Sequence, residues 1–490
     1  MLFPSLEQVR RYAREANVVP VCRTVLADTE TPVSVWMKLY RHAPYSFVLE
    51  SVTGGDVVAR YSFIGGDPFL RFSSNGDRWL VEGERREEGQ GDPLDALRRL
   101  IESYRPARVE GLPRFCGGAV GFFAYDSIRL WEEIPDKNPH DDMLDELFFG
   151  FYRDVVAFDN REHRLMLITN IFTESDGDPE GAYGRALGRL DAMQVRMKEH
   201  LANPRVRIGN AGEPGSNFRR PEYEDAVKAC KEYILNGDIF QVVLSQRFSV
   251  DVEADPFDLY RILRTVNPSP YMYYLSCDQV QVIGASPEML CRVEDDLVEV
   301  RPIAGTRPRG EGEHEDEVLA RELRADPKEV AEHVMLVDLG RNDIGRVSRP
   351  GSVRVEEMLH IEKYSHVMHL VSNVVGTKKQ ECDALEAFFS CFPAGTLSGA
   401  PKIRAMEIID ELEPARRGLY GGALGYIDFS GNLDSCIVIR TIIYKNGTAY
   451  IQAGAGIVAD SVPSREYEET VNKAKALFAA IRNAGQIAGD

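Results

Sequence analysis

Several things that the chain lacks exclude whole classes of function. No uninterrupted apolar run approaches bilayer-spanning length. The start, Met1-Leu2-Phe3-Pro4, runs on to Arg10, Arg11 and Arg14 without the apolar stretch of a signal peptide. Positive charge is short: 58 Lys and Arg against 77 Asp and Glu leave a net −19. That argues against the basic surface needed for non-specific binding of nucleic acid or anionic membrane. No C-x-x-C pair occurs among the eight cysteines (Cys22, Cys116, Cys230, Cys277, Cys291, Cys382, Cys391 and Cys436). Scattered single cysteines read as reduced residues of a cytoplasmic protein, not as a disulfide frame or zinc site. Short repeats, low-complexity tracts, a Walker A loop and a G-x-G-x-x-G opening a βαβ unit are missing too. What is present is ordinary globular composition over 490 residues, 44% hydrophobic and 28% charged, enough for roughly two to four domains.

Strand-like and helix-like segments alternate irregularly, which predicts an α+β fold. Tyr45 to Val52 and Val57 to Ile64 read as a hairpin about Gly54-Gly55, and Val155 to Phe158 with Leu165 to Phe172 as another. Leu94 to Tyr104 and Ala182 to Leu201 have helical spacing, the second ending at Pro204. Periodicity is lost over 204–221, the best linker in the chain. Pro221 then opens a helix that stops at Asn236-Gly237. The division expected is an N-terminal part, 1–205, and a C-terminal part, 220–490.

Five features carry possible chemistry. Asp326-Pro327 reads as the N-cap and first residue of a helix, with Glu329 placed for a capping box. Val330, Val334 and Val337 form one stripe of that helix, and Met335 and Leu336 extend the apolar surface around Glu332. A buried Glu332 would have to be paired, protonated or bound to a metal. Glu466 and Glu469 open a second helix whose core stripe is Tyr467, Val471, Ala474, Phe478 and Ile481. They read as a solvated acidic turn or, with Glu329 and Glu332, as holders of a hard cation. His369, in Tyr364-Ser365-His366-Val367-Met368-His369-Leu370, is either a satisfied core histidine or a general base. Arg440, in the apolar run Cys436 to Ile443, predicts a strand buried on both faces and needs an anion, whether a structural carboxylate or that of a substrate. Glycine-rich turns at Gly284, Gly305, Gly395 to Gly399, Gly421-Gly422 and Gly454-Ala455-Gly456 offer backbone amides.

Long strings of the sequence fit one family together. They are Asp238 to Gln246, the turn ending in Glu288, Glu329 to Asp343, Thr396 to Lys402 and Gln452 to Gly456. The chain resembles the chorismate-utilising enzymes, and among them the anthranilate synthase component I family, over essentially all of 220–490 and more loosely before it. The resemblance implies two packed, largely antiparallel β-sheets flanked by helices, with an N-terminal regulatory part. It implies Glu332 and Glu469 as Mg²⁺ ligands, with Glu329 and Glu466 nearby. Gly305, Thr306, Gly454, Ala455 and Gly456 would line the chorismate site, and Tyr420 and Arg440 would grip the enolpyruvyl carboxylate. Glu288, beside Thr396, would be the acid at the C4 hydroxyl, and His369 the base at C2.

Two positions bear on the choice within the family. Ala304 stands where aminodeoxychorismate synthases carry a nucleophilic lysine, and Gln241 where isochorismate and salicylate synthases use a lysine to activate water. Both point to direct addition of ammonia. Leu49-Glu50-Ser51, Arg60 downstream and Pro270-Tyr271-Met272 resemble a tryptophan feedback site. No Gly-x-Cys-x-Gly motif surrounds any cysteine, so a separate glutamine amidotransferase subunit is expected to supply ammonia, in a heterotetramer. The alternatives are an aminodeoxychorismate synthase component and a non-catalytic binder of tryptophan or chorismate.

Overall fold

A computed structural model of the protein describes residues 1–51, 60–139, 143–201, 206, 208–364 and 367–487. Val52 to Ala59, with the Gly54-Gly55 turn, lie outside the described residues, as do Pro204, Ser365 and His366. So does the side chain of Ile481.

Among the described residues the strands form one sheet of fourteen and one of twelve, paired antiparallel throughout. The α+β expectation of two packed antiparallel sheets flanked by helices is what the chain adopts. Phe47, Phe63, Ile168 and Tyr273 of the first sheet meet Val120, Phe122, Leu424 and Cys436 of the second in a shared core. Helices Pro32–Leu39, Pro179–Met197 and Pro256–Val266 cover the outer face of the first sheet, supplying Trp36, Leu190 and Phe257. Ala384–Cys391 and Pro327–Gly345 cover the second, supplying Phe388 and Val337. The result is a helix–sheet–sheet–helix stack, in which each element buries one face.

Both sheets draw strands from either side of the 202–205 stretch. Tyr45–Glu50 pairs with Tyr271–Cys277, setting Glu50 opposite Met272. Gly118–Phe123 pairs with Ala423–Asp428. Early and late parts of the chain therefore share continuous sheets and a common core.

Local signals place several helices well. Asp326 caps Pro327–Gly345 by accepting from the amides of Lys328 and Glu329. The helix after the linker runs Arg220–Leu235, with Gly237 at φ 82° where it ends. Ala182 to Leu201 becomes Pro179–Met197, because Asp178 caps it earlier and Pro179 fits its first turn. No described helix is long and apolar enough to cross a membrane.

One expectation fails where it matters. Cys436 to Ile443 is not a single buried strand. Leu433–Ile437 belongs to the second sheet and Thr441–Lys445 to the first. The chain crosses between sheets at Val438 to Arg440, with Arg440 at φ 51°. Beside it runs a second crossing in the opposite direction, from Val280–Ser286 of the first sheet through Pro287-Glu288 to Met289–Glu294 of the second. The amide of Ile437 donates to the Glu288 carbonyl at 3.0 Å, and that of Ala285 to the Arg440 carbonyl at 3.2 Å. Apolar flanks made the crossing at Arg440 look like strand interior, whereas the one at Glu288 is the turn expected from sequence. Together they bring a carboxyl and a guanidinium side by side where the two sheets part.

Candidate active site

Glu288 and Arg440 share this junction. Burial pushes the Glu288 carboxyl up to about 8, against lowering by the Thr396 hydroxyl, which donates to it at 3.2 Å, and by the Arg440 charge. Arg440 keeps accessible surface because it borders the cleft, yet enough protein surrounds it that desolvation lowers its pKa from the ordinary arginine value. Its guanidinium makes no hydrogen bond or ion pair with the described residues, so its charge is free to meet a ligand. Of the two anions open to it from sequence, no structural carboxylate bonds to it, which leaves room for one from a ligand.

His369 lies on Val367–Thr377, directly opposite Thr306 of Ile303–Pro308. The register shifts between Ala304 and Thr306, and Gly305 occupies the bulge at φ 66°. That conformation favours glycine, and it aims the Gly305 carbonyl at the imidazole. His369 Nδ1 lies 2.9 Å from this carbonyl and 3.2 Å from the Thr306 hydroxyl. A carbonyl only accepts, so Nδ1 carries the proton and Nε2 keeps its lone pair. Burial, the largest cause, lowers the His369 pKa. At neutral pH the pair is therefore a protonated Glu288 and an unprotonated His369.

The opposite wall is the strand Thr448–Ile457. Gly454 and Gly456 share one of its faces. A Cβ at Gly454 would come within 2.8 Å of the Tyr420 hydroxyl, and one at Gly456 within 2.9 Å of Gln241 Nε2. Tyr420 is buried, which raises its pKa. Ala455 points the other way, fully buried against the helix layer, so only its backbone can face the cleft.

The acidic quartet comes together loosely. Glu332 is exposed, not buried as the flanking apolar residues suggested. The helix packs through His333, Leu336, Val337 and Gly340, while Val330, Val334 and Met335 are only half-buried, so one stripe suffices to hold it. Desolvation, then Glu329 and Glu469, raise the Glu332 pKa. Desolvation and Glu469 likewise raise that of Glu466. Glu329 forms no capping box. It pairs with Arg307 at 3.1 Å, and Glu469 pairs with Lys473 at 2.8 Å. Among the described residues no three carboxylate, imidazole or thiol side chains converge as a ready-made metal cage. The mutual repulsion and the all-oxygen donor set still fit Mg²⁺, which keeps several waters and takes only one or two carboxylates.

The expected feedback residues gather away from the cleft. Leu49, Glu50, Ser51, Pro270, Tyr271 and Met272 line one cavity of about 70 Å³ between the sheets. Arg60 does not line it. It pairs with Asp159 at 2.9 Å and lies over the ring of Tyr61, which does. Pairing of Tyr61 opposite Asp159 carries Arg60 to that side.

Other residues at these sites escaped the sequence reading. Arg264 donates to both Glu50 oxygens, at 2.9 and 3.1 Å, and the Tyr260 hydroxyl donates to the same carboxylate. Tyr364 sets its ring edgewise to His369, 5.5 Å between centroids, and donates to Glu362 at 2.8 Å. Lys473 joins Glu469 to the Gly454 carbonyl. Each looks like an ordinary surface or core residue in its own segment, and only long-range contacts reveal it.

Glu288 and His369 thus lie within electrostatic reach of an Arg440 guanidinium that has no partner among the described residues. Residues 47–479 match the chorismate binding enzyme family. The chain is 49% identical to anthranilate synthase component 1 of Acetivibrio thermocellus, over 99% of this chain and 100% of that one. It is 47% identical to the component 1 of Aquifex aeolicus, over 97% of each. The crystal structure of anthranilate synthase component I from Streptococcus pneumoniae superimposes with a TM-score of 0.76 at 38% identity, covering 92% of this chain and 98% of that one. The menaquinone-specific isochorismate synthase of Escherichia coli shares the fold, with a TM-score of 0.70 at 18% identity over 97% and 98% of the two chains. The chain belongs to the chorismate binding enzyme family and, within it, to the anthranilate synthase component 1 group.

Proposed function

We propose that the protein converts chorismate and ammonia to anthranilate, pyruvate and water. The observation that carries this reading is the placement of Glu288, bonded by the Thr396 hydroxyl, and His369, held through Nδ1 by the Gly305 carbonyl, with Arg440 in electrostatic reach of both. Arg440 and Tyr420 hold the enolpyruvyl carboxylate, and backbone amides about Gly305, Gly454 and Gly456 receive the ring. Ammonia adds at C2 while Glu288 gives its proton to the departing C4 hydroxyl, which leaves as water. His369 Nε2 then takes the C2 proton as the enolpyruvyl C–O bond breaks. Pyruvate departs and the aminodeoxyisochorismate ring becomes aromatic. Glu332 and Glu469, with Glu329 and Glu466 through water, would hold Mg²⁺, which supplies charge neutralisation of the ring carboxylate. Ala304 and Gln241 offer neither a nucleophile nor a base, which favours ammonia over covalent or water addition.

The same reading assigns tryptophan to the Glu50 cavity as a feedback inhibitor, and assigns ammonia supply to a glutaminase subunit in a heterotetramer. It places the protein in the cytoplasm, in keeping with eight free cysteines. The purified chain with chorismate, Mg²⁺ and ammonium should yield fluorescent anthranilate. Chelation should stop the reaction, tryptophan should inhibit it, and glutamine should not replace ammonium. Consumption of chorismate without anthranilate would overturn the reading.

A further inference from the structure

Behind the cleft lies a charged pair that takes no part in the steps above. The side chains of Arg417 and Glu413 are 1% and 2% exposed and are joined by two hydrogen bonds, at 2.9 and 2.6 Å. The remaining contacts of Arg417 reach three walls of the site. Nη1 donates to the Leu397 carbonyl at 2.6 Å, next to Thr396. Nη2 donates to the Val243 carbonyl at 2.7 Å, and Val243 is the partner of Gly456 across the strand pair. The guanidinium also lies over the rings of Tyr125 and Tyr420, at 4.8 and 5.6 Å. Glu413 adds a fourth tie by accepting from the amide and hydroxyl of Ser245, the partner of Gly454, at 2.8 Å each.

Such a pair is a poor way merely to fill space. Apolar residues of similar volume commonly serve as well or better. What a guanidinium provides is direction: its planar fork fixes several acceptors relative to one another, which a lysine ammonium does not. Here the acceptors are the carbonyl beside Thr396, the carbonyl opposite Gly456 and the carboxylate that pins Ser245. None belongs to the same element as another, and all back onto residues assigned to the acid or to the substrate.

We propose that Arg417, held by Glu413, is a positioning residue for this reaction: it sets the Thr396 turn against Glu288 and the face of Tyr420 against the glycine strand. The inference rests on the function proposed above. Thr396 is the coupling element, because its hydroxyl reaches Glu288 only while its turn is held. The other charged or titratable groups near Glu288 are Arg440 and Tyr364, with Arg301 and Asp343 lining the small cavity that Glu288 borders. None of these touches Arg417.

The test compares Arg417→Lys, Glu413→Gln and Thr396→Val in the full chain with Mg²⁺ and ammonium. Anthranilate production by the unaltered chain is established first, so failure of the functional reading is seen separately. Arg417→Lys should lower kcat about 100-fold, the scale of a small misplacement of reacting groups, with KM for chorismate rising less. It should also move the alkaline limb of the pH–kcat profile upward, as Thr396→Val does, because the first displaces and the second removes the hydroxyl that stabilises the Glu288 carboxylate. The double variant should move it no further. Glu413→Gln keeps the shape and most hydrogen bonds, so it should fold and show the same changes in smaller measure. It serves as the reading if Arg417→Lys does not fold. A folded variant at either position with unaltered kcat, or with a lowered kcat but an unmoved alkaline limb, overturns the proposal.

Discussion

Two glutamates show what the molecule does with a carboxyl between its sheets. Glu50, 5% exposed, accepts from Tyr260 and from two nitrogens of Arg264, so its charge is answered within the protein. Among the described residues Glu288 has a single hydrogen bond to its side chain, from Thr396, and Arg440, whose charge it feels, does not pair with it. One carboxylate has both oxygens hydrogen-bonded at the edge of a cavity. The other is pushed up to about 8 by burial, beside an arginine with no partner among the described residues. A complete set of partners makes a rigid recognition site, whereas withheld partners leave groups able to move a proton and grip a ligand.

The largest effect expected on either side of this contrast is at Glu288. Glu288→Gln should lower kcat about 10³-fold, within the range for loss of a general acid. It should also stabilise the protein at alkaline pH. The wild-type carboxyl has its folded pKa, about 8, above the 4.5 of the unfolded chain. Its contribution is therefore favourable at low pH and is lost as pH rises through 8. Urea melts at pH 6 and pH 9 should show Glu288→Gln gaining about 2 kcal/mol on the wild type between them. Equal differences at both pH values would mean that Glu288 is not held protonated. In the same window, wild-type kcat at saturating free ammonia should fall above pH 8 as the acid is lost. It should fall again in acid, below the ordinary histidine range, as His369 gains a proton.

Arg440→Met comes next. Removing an unpaired guanidinium orphans no protein group, so stability should change little. KM for chorismate should rise about 10- to 100-fold, the scale of one charge-assisted interaction. A melting temperature lowered by many degrees would show that Arg440 has a structural partner after all. At Glu50 the pattern should invert. Glu50→Gln weakens its bonds to Arg264 and Tyr260 and should cost about 1–3 kcal/mol in denaturant melts, with tryptophan binding by calorimetry weakened as well. The smallest effects are expected from Ser51→Ala and Met272→Thr. Each should raise the half-inhibitory tryptophan concentration about tenfold, or ~1.4 kcal/mol. Unchanged inhibition in both would remove tryptophan from this cavity.

Much of this site was legible in the sequence because its signals are local. The Asp326-Pro327 cap, the Gly237 stop and the alternating strands are decided by neighbouring residues, and they stand where the pattern put them. Of the feedback residues assigned through the family resemblance, all but Arg60 gather at one cavity, although positions as distant as Glu50 and Met272 meet only in the sheet. What misled was inference from flanking hydrophobicity. Apolar neighbours imply burial only if the segment runs straight through a core. At Arg440 the chain leaves one sheet for the other, and at Glu332 the helix buries a single stripe.

By itself, then, the sequence determined the family, the class of fold and several helix caps and stops, and it named the residues proposed for acid, base and metal-binding chemistry. All of these depend on residue type and short-range order. The tertiary structure decided which charges are answered and which are not. Arg264 reaches Glu50, Lys473 reaches Glu469 within its own helix, and Arg417 is tied to three separate elements, while the Arg440 guanidinium is left without a partner among the described residues. Most of these pairings join residues far apart in the chain, and a carboxyl's protonation follows from its surroundings in space. That is why Glu50 and Glu288, the same residue in two apolar settings, come to opposite ends.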